Sequence, residues 1–201
     1  MMVRSVKTVW KKSVGLLGGS FDPAHSGHVH ITKTALTCFD LDEIWWLVSP
    51  ANPLKKNAPA SLEKRVQNAQ ALMRHPRVRI SAIEATLETQ YTSETLKALA
   101  RQFPKNRFVW LMGADNLEQF HKWHQWKDII ETVPLGILAR PGNEFAQKRA
   151  KTAQIYANFK LPSAQSRILS RRLAPAWCFK SLPLNPTSST QLRSLKSYET
   201  R

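Results

Sequence analysis

An apolar run at residues 14–17 breaks on two glycines, passes through a turn holding a proline and two histidines, and enters a helix-compatible stretch at 29–38. A buried strand that ends this way hands the chain to a helix packed back on it. That is the first half of a β-α-β unit, and it commits the fold to a parallel sheet. The turn reads Gly18-Gly19-Ser20-Phe21-Asp22-Pro23-Ala24-His25-Ser26-Gly27-His28. In such a turn, backbone N–H groups and the positive end of the helix dipole face any bound anion. Gly18 and Gly19 permit close approach to the backbone, Pro23 limits the bend, and His25 and His28 add ring donors. The chemistry suggested is phosphate handling without a dedicated lysine loop.

The same alternation continues. Strand signals fall at 14–17, 44–48, 78–83, 107–112, 135–139 and 177–179, and helical signals at 29–38, 62–74, 93–103, 116–131 and 189–197. This pattern predicts an α/β fold, a Rossmann-like doubly wound parallel sheet with helices on both faces. Ligands of such sheets bind beyond the carboxyl ends of the strands, where the loops after residues 17, 48, 112 and 139 converge. The stretch 147–173 shows no clear period and is open to a helical cover or a dimer contact. The 201 residues suit one domain over 1–201, with a basic extension at 1–12 and a C-terminal helix at 188–201.

Other chemistries lack their residues. There is no G-x-x-x-x-G-K-[ST], and no G-x-G-x-x-G opens the first helix. His25-x-x-His28 and His121-x-x-His124 each offer two zinc ligands, but no Cys or carboxylate cluster accompanies either pair. The net charge of +16 is uneven: between Glu144 and Glu199 there are ten Lys or Arg and no acid. Such a field favours phosphorylated ligands and holds nucleic acid non-specifically. The basic residues do not interleave with aromatics as a single-strand groove would, so no specific nucleic-acid partner is expected. Cys38 and Cys178 show no pairing pattern, and no apolar run approaches the roughly eighteen residues of a membrane span. Residues 1–13 lack the apolar core of a signal peptide. The expected location is the cytoplasm.

Residues 19–28 closely resemble the G-x-F-x-P-x-H-x-G-H fingerprint of the nucleotidyltransferase superfamily, which includes adenylyl- and cytidylyltransferases. Its second signature, Ile-Ser-Ser-Thr-x-[Ile/Leu]-Arg, is matched by Thr187-Ser188-Ser189-Thr190-Gln191-Leu192-Arg193, with Thr187 in place of the usual apolar residue. Between them, Pro50-Ala51-Asn52-Pro53-Leu54-Lys55, Tyr91-Thr92-Ser93-Glu94-Thr95-Leu96, Gly113-Ala114-Asp115 followed by Trp123, and Ala139-Arg140-Pro141-Gly142 look like nicotinate-nucleotide adenylyltransferases. The resemblance implies transfer of AMP from ATP to nicotinate mononucleotide, giving deamido-NAD and pyrophosphate, with Mg2+ bound along with ATP.

What remains is to give residues roles. His25, His28 and Arg193 are the candidate catalytic donors. Gly18, Gly19, Ser20, Phe21, Lys55 (or its neighbour Lys56), Asp115, Ser188, Ser189 and Thr190 are candidates for ATP and its phosphates. Tyr91, Thr92, Trp123 and Arg140 are candidates for nicotinate mononucleotide. Each has a plainer reading. Serine and threonine cap helices, and Asp115 suits the N-cap of a helix at 116–131. Trp123 and Trp126 at helical spacing suit a core, and Arg140 suits a loop cap. Phosphopantetheine, nicotinamide mononucleotide or a CTP reaction stay open, as does a non-enzymatic basic nucleic-acid-binding module. A homo-oligomer is also open.

Overall fold

The computed structural model describes residues 12–50, 59–140, 143 and 145–181. Among them, seven strands form one sheet in the order β3-β2-β1-β4-β5-β7-β6, every neighbouring pair parallel. The strands are β1 (Lys12–Gly19), β2 (Glu43–Val48), β3 (Val78–Ser81), β4 (Asn106–Gly113), β5 (Leu135–Ala139), β6 (Lys160–Leu161) and β7 (Trp177–Ser181). The helices are α1 (Ser26–Cys38), α2 (Leu62–Leu72), α3 (Ile83–Thr86), α4 (Thr92–Gln102), α5 (Ala114–Gln119), α6 (Trp126–Thr132), α7 (Ala146–Arg149) and α8 (Lys151–Ile155). A 3-10 helix at Ser163–Arg171 precedes β7.

Alternation along the strands divides the core into two layers. Val14, Leu16, Trp45, Leu47, Phe108, Trp110 and Met112 face one side, where Leu96 and Leu99 of α4, Leu117 of α5 and Ile129 of α6 cover them. Leu17, Ile44, Trp46, Val48, Val109 and Leu111 face the other, under Ile31 and Ala35 of α1, Ala69 of α2 and Leu169 of the 3-10 helix. The chain leaves β1 toward β2 and β3, then returns to place β4 on the other side of β1. That reversal is the switch point of a doubly wound sheet, and its crevice opens at the ends of β1 and β4.

Four sequence expectations are corrected. β1 runs through Gly18 and Gly19, which pair with Leu47 and Val48, so both glycines belong to the strand end. β3 stops at Ser81 and the chain turns into α3, shortening the expected strand at 78–83. The single helix expected at 116–131 is three pieces: α5, a 3-10 turn at Phe120–Lys122, and α6. Gln125 adopts a left-handed backbone (φ 47°) between them, so Trp123 and Trp126 do not share one helix face. The strand β6 carries no sequence signal, because its two residues are held only by pairing with β7. The second signature at 187–193, the expected helix at 189–197, Lys55, Lys56 and Pro141-Gly142 lie outside the described residues.

Candidate active site

The turn after β1 is locked by its own histidines. His25 caps α1: its Nδ1 accepts from the Gly27 N–H at 3.1 Å, and its carbonyl accepts from the His28 N–H at 2.9 Å. His28 returns the bond, its Nδ1 accepting from the His25 N–H at 3.2 Å. Each ring thus uses Nδ1 as an acceptor, which assigns the ring proton to Nε2 in both. The ring centroids are 3.9 Å apart. Burial pushes the His28 pKa down to about 3, helped by the charges of His25 and Arg140 and opposed by the backbone bond from His25. The site therefore holds His28 as a neutral N–H donor throughout the physiological range.

Beside the pair, Phe21 is 2% exposed and stacks on Trp46 at 4.8 Å, with the His28 ring 4.8 Å from Phe21 and 5.8 Å from Trp46. Its φ of 48° places a bulky residue in the left-handed region, the kind of local strain that surrounding packing must hold. The Phe21 side chain supports the turn, and only its backbone is at hand for a ligand. Ser20 contributes a buried hydroxyl with no hydrogen-bond partner among the described residues.

A second anchor had gone unnoticed in the sequence. Arg65 of α2 is 1% exposed and donates to four backbone carbonyls: Ser20 at 2.8 Å, Ser49 at 2.7 Å, Pro50 at 3.0 Å and Ala60 at 2.7 Å. It ties the turn after β1 to the loop after β2 and grips both flanks of the segment that carries Lys55. A signal was available: Arg65, Ala69 and Met73 repeat every four residues, so this arginine lies on the buried stripe of α2.

On the opposite face of the sheet, a cavity of about 550 Å³ opens over the end of β1. Gly18 and Gly19 form its floor, and a Cβ at Gly18 would lie 2.5 Å from the Trp110 ring. Tyr91 and Thr92, at the start of α4, line the cavity with Glu84 of α3. Trp123, His124 and Lys122 also line it. The rings of Tyr91 and His124 are 4.3 Å apart, and Trp123 meets Trp110 edge-on at 6.2 Å. Helicity is broken at 123–125: Trp123 lines the cavity and packs on Phe120, and Trp126 packs on Phe120 and Tyr156. The described structure therefore brings Tyr91, Thr92 and Trp123 together. Glu84, His124, Gln90, Asn116 and Gln119 join them without having been anticipated, although His124 sits in the second His-x-x-His.

Two expected residues fall elsewhere. Arg140, at the end of β5, does not line this cavity; its charge is felt at His28 instead. Asp115 is exposed in the first turn of α5, whose N-cap position is Gly113. Its carboxylate folds back over Gly113 so closely that a Cβ there would collide with it. Among the described residues no three His, Cys, Asp or Glu side chains converge as a metal cage. None of the described helices is long and apolar enough to cross a membrane.

Known proteins resemble this chain in sequence and in fold. The cytidylyltransferase-like family model matches residues 16–195. A Ruegeria sp. (strain TM1040) protein named probable nicotinate-nucleotide adenylyltransferase is 54% identical over 181 residues, covering 90% of this chain and 96% of its own. A Parvibaculum lavamentivorans protein of the same name is 44% identical over 189 residues, covering 94% of each chain. The fold resembles that of Plasmodium falciparum nicotinic acid mononucleotide adenylyltransferase complexed with NaAD, at a TM-score of 0.69 and 15% identity, covering 92% of this chain and 83% of that one. On its sequence relatives and its family match, the chain belongs to the nicotinate-nucleotide adenylyltransferase family of cytidylyltransferase-like proteins.

Proposed function

We propose that this chain transfers AMP from ATP to nicotinate mononucleotide, releasing pyrophosphate and forming nicotinate adenine dinucleotide, in the cytoplasm. The observation that carries the reading is the pair of interlocked histidines with protons assigned to Nε2, set beside a cavity that opens across Gly18 and Gly19. One site handles phosphate and the adjoining one is shaped for a flat ring, with a two-glycine strand end between them.

An oxygen of the mononucleotide phosphate attacks the α-phosphorus of ATP while the bond to the β-phosphate oxygen breaks in line. The nucleophile is already an anion, so no side chain has to remove its proton. The protein supplies alignment and stabilises charge building on the α- to γ-phosphates. In our proposal the Nε2–H groups of His25 and His28 donate to these oxygens, and neutral His28 does so without changing protonation state. The Ser20 hydroxyl and Arg140 add to the same side, and Lys55, Ser188, Ser189, Thr190 and Arg193 complete it from beyond the described residues. Asp115 accepts from the adenosine ribose. Mg2+ bound along with ATP would neutralise charge on its phosphates.

Trp123 stacks on the pyridine ring, and Tyr91 borders it. The N–H groups of Glu94 and Thr95 donate to the Tyr91 carbonyl, which leaves those of Thr92 and Ser93, at the very start of α4, outside the helix's own bonding pattern. Such donors, with the helix dipole behind them, favour a carboxylate over an amide. The test is isotopic. With nicotinate mononucleotide carrying 18O on its phosphate, the label should stay wholly in the dinucleotide. Label in pyrophosphate would overturn the assigned nucleophile.

A further inference from the structure

Glu84 has no part in the chemistry described so far, yet it reaches the wall of the acceptor cavity while remaining 8% exposed. Its Oε1 lies 3.2 Å from the Thr95 hydroxyl, which is also 3.2 Å from the Tyr91 carbonyl and 2.9 Å from the Thr89 hydroxyl. Thr95 has one proton and cannot donate to both Glu84 and Tyr91. If Glu84 carries a proton, it donates to Thr95, and Thr95 donates to Tyr91, so both bonds are made. We propose that Glu84 is a specificity-determining residue of the acceptor pocket, admitting a pyridine carboxylate when neutral and favouring the amide when ionised. The assignment rests on the acceptor reading given above.

The physics is that of one buried charge. An ionised Glu84 repels a carboxylate in the same cavity and accepts from an amide N–H₂; a neutral one can donate to the carboxylate. Burial raises the Glu84 pKa to about 7, against the opposing pull of the Thr95 hydroxyl, so the two forms exchange near neutrality. The other titratable or charged groups around it are Tyr91 at the N-cap of α4, Glu94 on α4, and Lys122 and His124, which line the same cavity. Glu94 is engaged with the N–H groups of Gln90 and Tyr91. His124 lines the same cavity, so it has its own control. The phosphates of the two acceptors titrate alike and cancel in their ratio.

The experiment measures kcat/KM for nicotinate and nicotinamide mononucleotides from about pH 5.5 to about pH 8.5, bracketing pH 7. For the wild type the acid-to-amide ratio should fall by about tenfold or more as pH rises, a charge–charge effect in a partly desolvated site. Glu84→Gln, neutral at every pH, should flatten the ratio, while His124→Gln should keep the fall. A ratio that is flat in wild type, or that falls equally in Glu84→Gln, overturns the assignment while leaving the transfer reaction intact. As a check that needs no variant, 13C NMR should place the Glu84 carboxyl midpoint near 7, rising when nicotinate mononucleotide binds; a midpoint near 4 overturns it. Absence of dinucleotide with either acceptor overturns both this and the proposed function.

Discussion

At the residue scale, His28 shows how a side chain is prepared for its task by its neighbours. Held neutral to about pH 3, it should give no acid limb near pH 6.5 in the kcat profile. The same shift bears on stability. The unfolded chain binds a proton at His28 below about 6.5 that the folded chain refuses until about 3, so His28 makes stability fall as pH drops through that window. Acid denaturation of His28→Gln should lack that part of the slope. His28→Ala should lose about 10²- to 10³-fold in kcat, the usual cost of one transition-state donor. Trp123→Ala should raise KM for the mononucleotide about tenfold or more and leave KM for ATP within about twofold, as loss of one stacking platform predicts. Equal effects on both would return Trp123 to a packing role. The histidines could be singled out from the sequence because they share one strand-to-helix turn with glycines and a proline, whereas Trp123 stood out only through the resemblance to nicotinate-nucleotide adenylyltransferases. Glu84 and Arg65 could not, since one more acid and one more arginine look like surface until burial is known.

At the scale of elements, the strand ends and helix starts were legible and the interruptions were not. Periodicity located β1, β2, β4 and β5 within a residue or two, because four to six consecutive apolar residues admit little else. It ran straight through 123–125, where Gln125 turns left-handed and Trp123 meets Trp110, a tertiary contact that no local pattern contains. The join between the turn after β1 and α2 was equally hidden. Arg65→Lys keeps the charge but offers three donors on one nitrogen, which cannot span four carbonyls set around a planar fork. It should lower kcat about tenfold or more with a small loss of melting temperature, and Arg65→Ala should also destabilise by about 3 kcal/mol or more, leaving buried carbonyls unpaired. At the end of β1, Gly18→Ala forces a methyl against Trp110. It should cost about 1–3 kcal/mol in denaturant melts, as overpacking does, and narrow the acceptor cavity at the same time.

For the whole molecule, the sheet order places two kinds of recognition on opposite faces and lets them meet at one strand end. In the proposed reaction the histidines and Arg140 act on the α1 side, and the aromatic cavity opens on the α4 side, with Gly18 and Gly19 between them. The insertion of β7 between β5 and β6 was beyond sequence reading, because a two-residue strand leaves no pattern. The net charge of +16 acts at this scale too: KM for ATP should rise severalfold between about 0.05 and 0.5 M salt as the field is screened. The most direct measurement offers ATP and Mg2+ with nicotinate mononucleotide or nicotinamide mononucleotide in separate reactions, following pyrophosphate release and product mass at neutral pH. Faster release with the nicotinate form, and a product of nicotinate adenine dinucleotide mass, is the expected result. Release with neither acceptor, or with the nicotinamide form alone, would contradict the proposal that this pocket receives nicotinate mononucleotide.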